Sequence, residues 1–351
     1  MRRKVTMQHV AELAGVHPST VSRALNPATR DMVHPDLVNK VVDAAKKLAY
    51  RTDFNAKTLR TGRSKLIGAL VPDISSSLFA AIISGINHRL GGAGYSVVIA
   101  EVGDDTSRLL ELAHGLADHR VDGLILGNVF VEDPLVDFCI DHAIPAVLVN
   151  RAESGSRLSA VISDDLTAMQ LAVDHLHSLG HRQIAHIAGP QEQSTGVLRR
   201  RGFKFALTGF ELADSLIEVA VDYSREGGAA AMLRLLDRHP EITAVAAAND
   251  LLALGAYDAM ASRGLKCPDD ISLVGHNDIP HMDAVHPPMT TVRISHKEMG
   301  LLAADLLLQA INEPGAARRN IVLPPQLIIR QSTSAFRQGR TNRSAGATAR
   351  T

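Results

Sequence analysis

The sequence predicts an α/β protein in which a small helical N-terminal domain precedes two lobes, each built on a doubly wound parallel sheet. Three observations predict this architecture. The first 50 residues contain short, closely spaced helical patterns, and from Ser64 onward apolar runs alternate with amphipathic helices. A chain of 351 residues is also too long for one ordinary core, so two or three domains are expected.

The charge is segregated along the chain. The whole sequence has 37 basic and 37 acidic residues, a net charge of zero. Residues 1–65 nevertheless hold thirteen Lys and Arg against five Asp and Glu, and four arginines without any acid follow Phe336. The intervening residues carry the compensating acidic excess. A basic head on an acidic body indicates that the N-terminal end contacts a polyanion.

The composition excludes several classes of protein. Two cysteines, Cys139 and Cys267, rule out a disulfide framework and a Cys-based zinc site, and they fit a reducing compartment. The basic start at Met1–Lys4 is followed by polar residues instead of an apolar segment, which argues against secretion. No apolar run approaches the ~20 residues that span a bilayer. We therefore expect a cytoplasmic protein.

The first two helices are predicted from their capping residues and apolar spacing. Thr6 is placed as an N-cap, and Gly15 supplies the left-handed residue that ends the first helix. Pro18 begins the second helix at a position where its missing N–H costs nothing. The inward side chains share helical spacing within each helix: Val10, Leu13 and Ala14 in the first, and Val21, Ala24 and Leu25 in the second.

Two short helices joined by a tight glycine turn form a helix-turn-helix motif, whose second helix enters the major groove of DNA. A third helix with Pro35 near its start closes a small core over the first two. Its inward side chains are predicted to be Leu37, Val41, Val42, Ala45 and Leu48.

The stretch HVAELAGVHPSTVSRALN resembles the DNA-binding headpiece of the LacI/GalR (lactose-repressor/galactose-repressor) family. The similarity continues through LAYRTDFNAKTLRTGRS, HLHSLGHRQIAHIAGP and AANDLLALGAYDAM to DDISLVGHNDIPHMDAVHPPMTTV, and it covers residues 4–335. The resemblance implies a transcriptional repressor that binds palindromic double-stranded operator DNA as a homodimer. It also implies allosteric control by a small effector, a sugar or sugar derivative, bound between two lobes of a periplasmic-binding-protein-like domain.

The resemblance assigns DNA contacts to the helix-turn-helix and to a hinge helix. The assigned residues are Thr6, Pro18, Ser19, Thr20, Ser22, Arg23, Asn26, Ala56, Lys57 and Leu59. An arginine can grip guanine bidentately, and an apolar wedge such as Leu59 kinks the duplex at the minor groove. The alternatives are that Ser19, Ser22 and Arg23 only solvate a helix face and that Leu59 is an ordinary buried linker residue. His17 replaces the usual serine N-cap and should cap less well.

The resemblance also sets the expected domain boundaries. They are a headpiece at 1–51, a hinge at 52–64, an effector-binding and dimerisation domain at 65–335, and a disordered tail at 336–351. Within this domain, the N-lobe is expected at about 65–163 and 291–321, and the C-lobe at about 164–290 and 322–335. The chain should cross between them near Ser163–Asp164, Thr290–Thr291 and Ile321–Pro325. The tail lacks leucine heptads, so a dimer is expected instead of a tetramer.

The apolar runs are predicted to be buried parallel strands. The first set comprises LIGALV, SVVIA, VDGLILG and PAVLVN; the second comprises AVISD, QIAHIAG, SLIEVAVD, ITAVAAA and ISLVGHN. Ligands of such sheets bind at the carboxyl ends of the strands. Side chains near those ends are the candidate effector contacts: Phe79, Asn150, Arg199, Tyr223, Asn249 and Asn277.

Converging polar groups with an aromatic side chain from each lobe suit a small, hydroxyl-rich ligand, and the arginine could hold vicinal hydroxyls or a carboxylate. A buried Arg199 requires a ligand or an acidic partner. For Asn249 a purely structural capping role remains open. Asp73 and Asp164 are interpreted as structural residues and Leu78 as part of the cleft wall.

The two alternatives to this interpretation are a sugar-binding protein and an enzyme. A sugar-binding protein with an incidental basic arm would lack the helix-turn-helix. A kinase or dehydrogenase would need a phosphate loop and an acid–base pair, and the sequence shows neither. The spacing of His175 and His177 puts them on different helix faces, which argues against a metal site. We therefore expect no catalysis, no cofactor and no metal.

Overall fold

A computed structural model describes residues 5–26, 29–50, 63–101, 103, 106–214 and 216–337. The chain divides into two compact units, Met1–Ser64 and Lys65–Thr351. The predicted hinge residues Ala56, Lys57 and Leu59 lie outside the described residues, as does the tail at 338–351.

The N-terminal unit is helical, as predicted. Among its described residues the elements are α1 (Met7–Ala14), α2 (Pro18–Leu25), a 3₁₀ turn (Arg30–Met32) and α3 (Pro35–Lys47). Thr6 precedes α1 with an extended backbone, and Gly15 ends α1 with a φ of 66° in the left-handed region. The start and stop signals of α1 are therefore confirmed.

The core of this unit confirms most of the inward positions and corrects two of them. Val10, Val21 and Val41 are fully buried. Leu13 is 52% exposed, however, and Ala11 takes its place in the core. Leu13 lies two residues beyond Ala11, about 200° around the helix, so both cannot face α2 and α3. In the first turn of α3 the buried residue is Val38, one position after the predicted Leu37.

The second unit contains two sheets. The first has the order β11-β5-β4-β3-β1-β2 and consists of parallel pairs. Its strands are β1 (Leu66–Val71), β2 (Ser96–Glu101), β3 (Gly123–Leu126), β4 (Ala146–Val149), β5 (Ser159–Ser163) and β11 (Asn320–Leu323).

The second sheet has the order β12-β10-β9-β8-β6-β7 and is parallel except for the antiparallel pair of β10 with β12. Its strands are β6 (Ile184–Ala188), β7 (Ile217–Val219), β8 (Ala244–Ala247), β9 (Ser272–Asn277), β10 (Thr290–Arg293) and β12 (Gln326–Ile328). We call the two parts of this unit, each built on one sheet, the N-lobe and the C-lobe.

Helices pack on these sheets around apolar cores. They are α4 (Ser77–Gly92), α5 (Thr106–Asp118), α6 (Pro134–Asp141), α7 (Asp165–Ser178), α8 (Ser194–Gly209), α9 (Arg225–Arg238), α10 (Asp250–Ser262) and α11 (His296–Asn312). The cover of helices explains why most strands are continuous apolar runs. Within the described ranges, no helix has both the length and the apolar character needed to cross a membrane.

The first and last crossings between the lobes lie where the sequence predicts them, and the second lies a few residues later. β5, from the run AVISD, belongs to the first sheet. β10 lies wholly in the second sheet, because Arg293 still pairs with Asn277, and the second crossing therefore follows Arg293. The last crossing follows Leu323, which pairs with Ser163 in the first sheet. Residues 291–293 therefore belong to the C-lobe and residues 322–323 to the N-lobe.

Two further expectations need correction. β2 and β7 were expected to be buried, yet they are edge strands, and Val98 and Val219 are 41% and 37% exposed. An edge strand has a neighbour on one side only, which explains the exposure. The ordered body also extends through Phe336, whose N–H donates to the Leu179 carbonyl at 2.8 Å.

Glycines set the closest helix contact in the N-lobe, between α4 and α11. A Cβ on Gly85 would lie 2.1 Å from the Lys297 carbonyl oxygen, and one on Gly300 would lie 2.0 Å from that of Ile82. The two backbones therefore approach to a distance that only glycine permits.

We predict that Gly85→Ala lowers the stability of the protein by about 1–3 kcal/mol, because the added methyl group overlaps the backbone of α11. Gly91→Ala is the control: it lies in the same helix, with no atom within 4 Å of the added Cβ. There alanine should stabilise by about 0.5–1 kcal/mol through its helix propensity. Urea unfolding of both variants measures the effect, and equal stability would contradict the prediction.

Candidate functional site

The N-terminal unit presents the predicted DNA-contacting residues at the start of α2. His17 caps this helix: its Nδ1 accepts a hydrogen bond from the Ser19 N–H at 3.2 Å. The imidazole therefore takes the capping position of the usual serine.

The face of α2 opposite its buried side chains is open to solvent. Ser19 and Arg23 are exposed, and Pro18 and Ser22 are partly exposed. Their spacing of one and four residues places these four on one side of the helix. Thr20 is also partly exposed, as is Asn26 just after the helix, while Thr6 is exposed before α1. The described part of the predicted DNA-contacting set is thus accessible.

The segment after α2 folds back on the helix end. Thr29 Oγ1 donates to the Arg23 carbonyl at 3.1 Å, and Arg30 Nε donates to the Ala24 carbonyl at 3.1 Å. These bonds satisfy carbonyl groups that a helix end leaves without intrahelical partners.

In the second unit the chain crossings bring the carboxyl ends of both sheets to one cleft. The lobes touch there: the Val131 N–H donates to the Glu192 carbonyl at 3.0 Å, and the Ala152 N–H donates to Ser194 Oγ at 3.0 Å. A ligand in the cleft would therefore meet groups from both lobes.

Arg199 is buried in this region, and its acidic partner is Asp165. Arg199 Nε donates to Asp165 Oδ1 at 2.9 Å, and Nη1 donates to the Ala248 carbonyl at 2.7 Å. Ser163 Oγ also donates to Asp165 Oδ1, at 2.8 Å. Burial raises the pKa of Asp165, whereas Arg199 and His276 both lower it, and the net pKa lies below its usual value. The sequence predicted that Arg199 needs a ligand or an acid, and the structure shows the acid.

Two buried imidazoles lie next to this ion pair. His276 Nε2 is 3.5 Å from Asp165 Oδ1, and burial together with Arg199 lowers the pKa of His276 to about 4. Burial lowers the pKa of His296 to about 3. Both rings are therefore neutral at pH 7, and within the described residues Nδ1 of His276 and Nε2 of His296 make no hydrogen bond.

The three predicted asparagines are all buried but have different roles. Asn249 Oδ1 accepts from the Leu252 N–H at 2.8 Å and caps α10, so the capping alternative describes its contact. Asn150 follows β4 and Asn277 is the last residue of β9, with left-handed φ values of 68° and 108°. Asn277 Oδ1 is buried and, in the described part of the chain, has no hydrogen-bond partner.

The two predicted aromatic residues occupy different surroundings. Tyr223 lies over Gly189, and its hydroxyl is 3.1 Å from Thr195 Oγ1. Phe79 packs in the N-lobe core, in contact with the backbone at Gly127, and is 5% exposed. Leu78, the preceding residue, lines the cavity between the lobes, whereas Phe79 and the other five predicted effector contacts are not among its lining residues.

A cavity of about 720 Å³ lies between the lobes, next to the buried polar cluster formed by Arg199, Asp165, His276 and His296. Its lining comes from the start of α4, the loop after β9 and the second crossing with the start of α11. The lining residues are Ser77, Leu78, Ala81, Asp278, Ile279, Pro280, Ile294, Ser295, His296, Lys297, Glu298 and Leu301. His296 belongs both to the cavity wall and to the buried polar cluster.

Sequence reasoning missed Asp165 and His296. Each follows a chain crossing directly, and a crossing segment must lie where the lobes meet. The topology could therefore have pointed to both residues, although no local motif did.

Asp250 connects the cleft to the second crossing. Its carboxylate accepts from Thr291 Oγ1 at 2.6 Å and from the Ile279 N–H at 2.8 Å. Burial raises the pKa of Asp250 to about 7, despite these hydrogen bonds. The carboxyl is thus partly protonated near neutral pH in the folded protein.

Comparison with known proteins decides the family. A family model described as "Bacterial regulatory proteins, lacI family" matches residues 6–53, and one described as "Periplasmic binding protein-like domain" matches residues 173–333. The HTH-type transcriptional regulator CelR of Thermobifida fusca is 34% identical over 340 residues, which cover 94% of this chain and 99% of CelR. The chain belongs to the LacI family of bacterial regulatory proteins.

Solved structures of this family agree with the fold. The Lac repressor dimer bound to operator and the anti-inducer ONPF has a TM-score of 0.86 and 30% identity, over 95% of this chain and all of that chain. The complex of the transcriptional regulator CelR with cellobiose has a TM-score of 0.73 and 31% identity, over 93% of this chain and 99% of that chain. The family resemblance inferred from the sequence motifs is confirmed.

We predict that Asp250→Asn changes the pH dependence of stability. Because the folded-state pKa is raised, wild type loses stability as the pH rises from the unfolded value near 4 through about 7. The asparagine cannot ionise, and its amide can still form hydrogen bonds with the Ile279 N–H and with the Thr291 hydroxyl. Its stability relative to wild type should rise by roughly 2–3 kcal/mol between pH 5 and pH 8.

Chemical unfolding at the two pH values measures this difference, with Asp258→Asn as the control. The hydrogen bond from Arg225 lowers the pKa of Asp258, so this carboxylate is ionised throughout the interval. The substitution Asp258→Asn should therefore change the free energy of unfolding by the same amount at both pH values. A parallel pH response of Asp250→Asn and wild type would contradict the assignment.

Proposed function

We propose that this protein is a DNA-binding transcriptional repressor whose affinity for its operator is controlled by a small molecule bound between its two lobes. One observation carries the proposal. A single chain combines an accessible helix-turn-helix face with a cleft in which Nδ1 of His276, Oδ1 of Asn277 and Nε2 of His296 lack hydrogen-bond partners among the described residues. Such orphan groups are costly unless a ligand or water satisfies them.

The DNA-binding part is supported by the charge and exposure of α2 and its surroundings. The Lac repressor, which this chain resembles along its length, has been solved bound to operator. Exposed Arg23 on the face of α2 has the donor geometry that reads guanine in the major groove. We therefore propose Thr6, Pro18, Ser19, Thr20, Ser22, Arg23 and Asn26 as contacts to DNA, and the same for Ala56, Lys57 and Leu59 of the hinge.

The effector part is supported by the chemistry of the cleft. Amide and imidazole groups beside an apolar wall suit a sugar or sugar derivative, and cellobiose occupies the related CelR. We propose Asn277, Asn249, Asn150, Arg199 and Tyr223 as effector-site residues, with Phe79 supporting the wall from the core.

We further propose that the protein acts as a homodimer on a palindromic operator. Val98 and Ile99 on edge strand β2 are 41% and 40% exposed, an apolar surface that a second copy would cover. A regulator of this kind works where the DNA is, in the cytoplasm, and it needs neither catalysis nor a cofactor.

We predict that Arg23→Ala lowers affinity for the operator much more than affinity for random duplex. Loss of a bidentate base contact should cost about 1–3 kcal/mol of discrimination. The operator is first obtained by selection from random duplexes with wild-type protein, and fluorescence anisotropy then measures both affinities. Lys40→Ala, an exposed residue of α3, removes the same charge and should leave the discrimination unchanged. Equal losses on both duplexes for Arg23→Ala would show that Arg23 contacts only phosphate.

We predict that Asn277→Gly keeps operator binding within about twofold and weakens the effector response by at least about fivefold, since one lost hydrogen bond with its desolvation cost is worth about 1–3 kcal/mol. Glycine removes the amide without straining a residue whose φ is 108°. His281→Gly is the control, because His281 is exposed with a φ of 74°. Operator anisotropy titrated with an effector found by thermal-shift screening gives the response. An unchanged response would remove Asn277 from the site.

A further inference from the structure

We propose that His17 positions the Ser19 hydroxyl as a hydrogen-bond acceptor, and that Ser19 therefore selects a base with an exocyclic amino group in the major groove of the operator. The inference rests on the proposed function and deepens it, since the contact of Ser19 with DNA is part of that proposal. A serine hydroxyl ordinarily both donates and accepts, so it bonds to either kind of base edge. The contacts of His17 restrict Ser19 to one of these roles.

The backbone of α2 fixes the position of the hydrogen on the His17 ring. The Ser19 N–H faces Nδ1 of His17 at 3.2 Å, and an N–H can only donate, so Nδ1 is the acceptor. A neutral imidazole whose Nδ1 accepts carries its hydrogen on Nε2. With the hydrogen on Nδ1 instead, two hydrogens would face each other and the N-cap of α2 would be lost. The first N–H groups of a helix have no intrahelical partner, which favours the tautomer that caps them.

The Ser19 hydroxyl is bound to the same nitrogen. Ser19 Oγ lies 2.8 Å from Nδ1 of His17. Because Nδ1 presents a lone pair here, the hydroxyl is the donor of this bond, and Nδ1 is shared by the N–H and the O–H of Ser19. The hydroxyl hydrogen is thereby engaged within the protein. Ser19 is exposed, and its oxygen keeps lone pairs that can accept from a partner outside the chain.

The four bases differ in what they offer to such an acceptor. In the major groove adenine and cytosine present the N6 and N4 amino groups, whereas guanine and thymine present the oxygens O6 and O4. An acceptor oxygen bonds to an amino group, but no hydrogen lies between it and a keto oxygen, and both oxygens then lose their bonds to water without replacement. Since the N-terminal residues of a recognition helix contact base edges, Ser19 discriminates adenine or cytosine from guanine or thymine.

A second histidine of the same unit shows that this arrangement is not a general property of a His–Pro helix start. His34 precedes Pro35 at the start of α3, just as His17 precedes Pro18 at the start of α2. The His34 side chain, however, makes no capping hydrogen bond within the described residues. His34 therefore provides a matched control for substitutions of His17.

The first test removes single groups from the operator bases. The operator is selected from random duplexes with the full-length protein, and the base pair read by Ser19 is located as the one at which Ser19→Ala loses discrimination. At that pair the amino group is removed by purine in place of adenine or 2-pyrimidinone in place of cytosine. The keto oxygen of the paired base is removed by 5-methyl-2-pyrimidinone in place of thymine or 2-aminopurine in place of guanine. Fluorescence anisotropy measures the affinities of wild type and Ser19→Ala for each duplex.

We expect loss of the amino group to weaken binding of wild type at least about fivefold more than binding of Ser19→Ala, which corrects for changes in the duplex itself. Loss of the keto oxygen should weaken both proteins equally. A loss that depends on Ser19 when the keto oxygen is removed would overturn the inference. So would the absence of such a loss when the amino group is removed.

His17→Gly tests the positioning role of His17. Glycine is tolerated at an N-cap but has no side-chain acceptor, so the Ser19 hydroxyl can turn and donate to a keto oxygen. The preference for adenine over guanine, or for cytosine over thymine, at the pair read by Ser19 should fall at least about fivefold, with the other operator positions unchanged. His17→Asn supplies an acceptor again and should restore the preference, and His34→Gly should leave it unchanged. An unchanged preference in His17→Gly would refute the role of His17.

The outcomes separate this inference from the proposed function. If wild type selects no sequence from random duplexes, sequence-specific DNA binding itself is refuted. If it selects an operator that Ser19 reads through a keto oxygen, or does not read at all, the inference alone is refuted. If His17→Gly does not fold, the base-analogue test, which needs no substitution of His17, still decides the inference.

Discussion

The buried ion pair between Arg199 and Asp165 joins the parts of the chain that form the cleft. Asp165 lies just past the first crossing, Arg199 is on α8, and Nη1 of Arg199 reaches the end of β8 at Ala248. Removing one partner of such a pair costs about 3–5 kcal/mol, because the other charge stays buried without compensation. The pair therefore holds three segments of the C-lobe in a fixed relation on the side where they face the N-lobe.

The second crossing is tied to both lobes by different interactions. Thr291 on β10 donates a hydrogen bond to Asp250 at the start of α10. This bond holds the crossing to the C-lobe. His296 begins α11 just after the crossing. The close contact of Gly85 with Gly300 packs α11 against α4 in the N-lobe. The segment that lines the cavity is thus also a segment that connects the lobes. A ligand contact at His296 acts on α11 and, through the close glycine contact, on α4.

The features that depend on a few neighbouring residues could be predicted from the sequence. Gly15 and Pro18 delimit α1 and α2 as expected, because caps depend on a few neighbouring residues. The need of Arg199 for a partner also followed from the residue type, but its partner lies 34 positions away in the sequence and is brought near only by the fold. The position of Phe79 depends on the absence of a side chain at Gly127, just past the end of β3. His296 carries no motif, and its place in the cavity follows from which sheet β10 joins.

Control by a ligand in such a cleft depends on the difference between its affinities for two arrangements of the protein, not on its total affinity. The cavity wall has contributions from both lobes, with Leu78 on one side and Ile279 on the other. A ligand that fills it gains its full set of contacts only when both walls are in place. A coupling of about 1–3 kcal/mol changes operator affinity by roughly 5–150-fold. Hydrogen bonds between neutral groups contribute about 0.5–1.5 kcal/mol each. A difference of two or three such hydrogen bonds between the two arrangements is therefore enough for a switch.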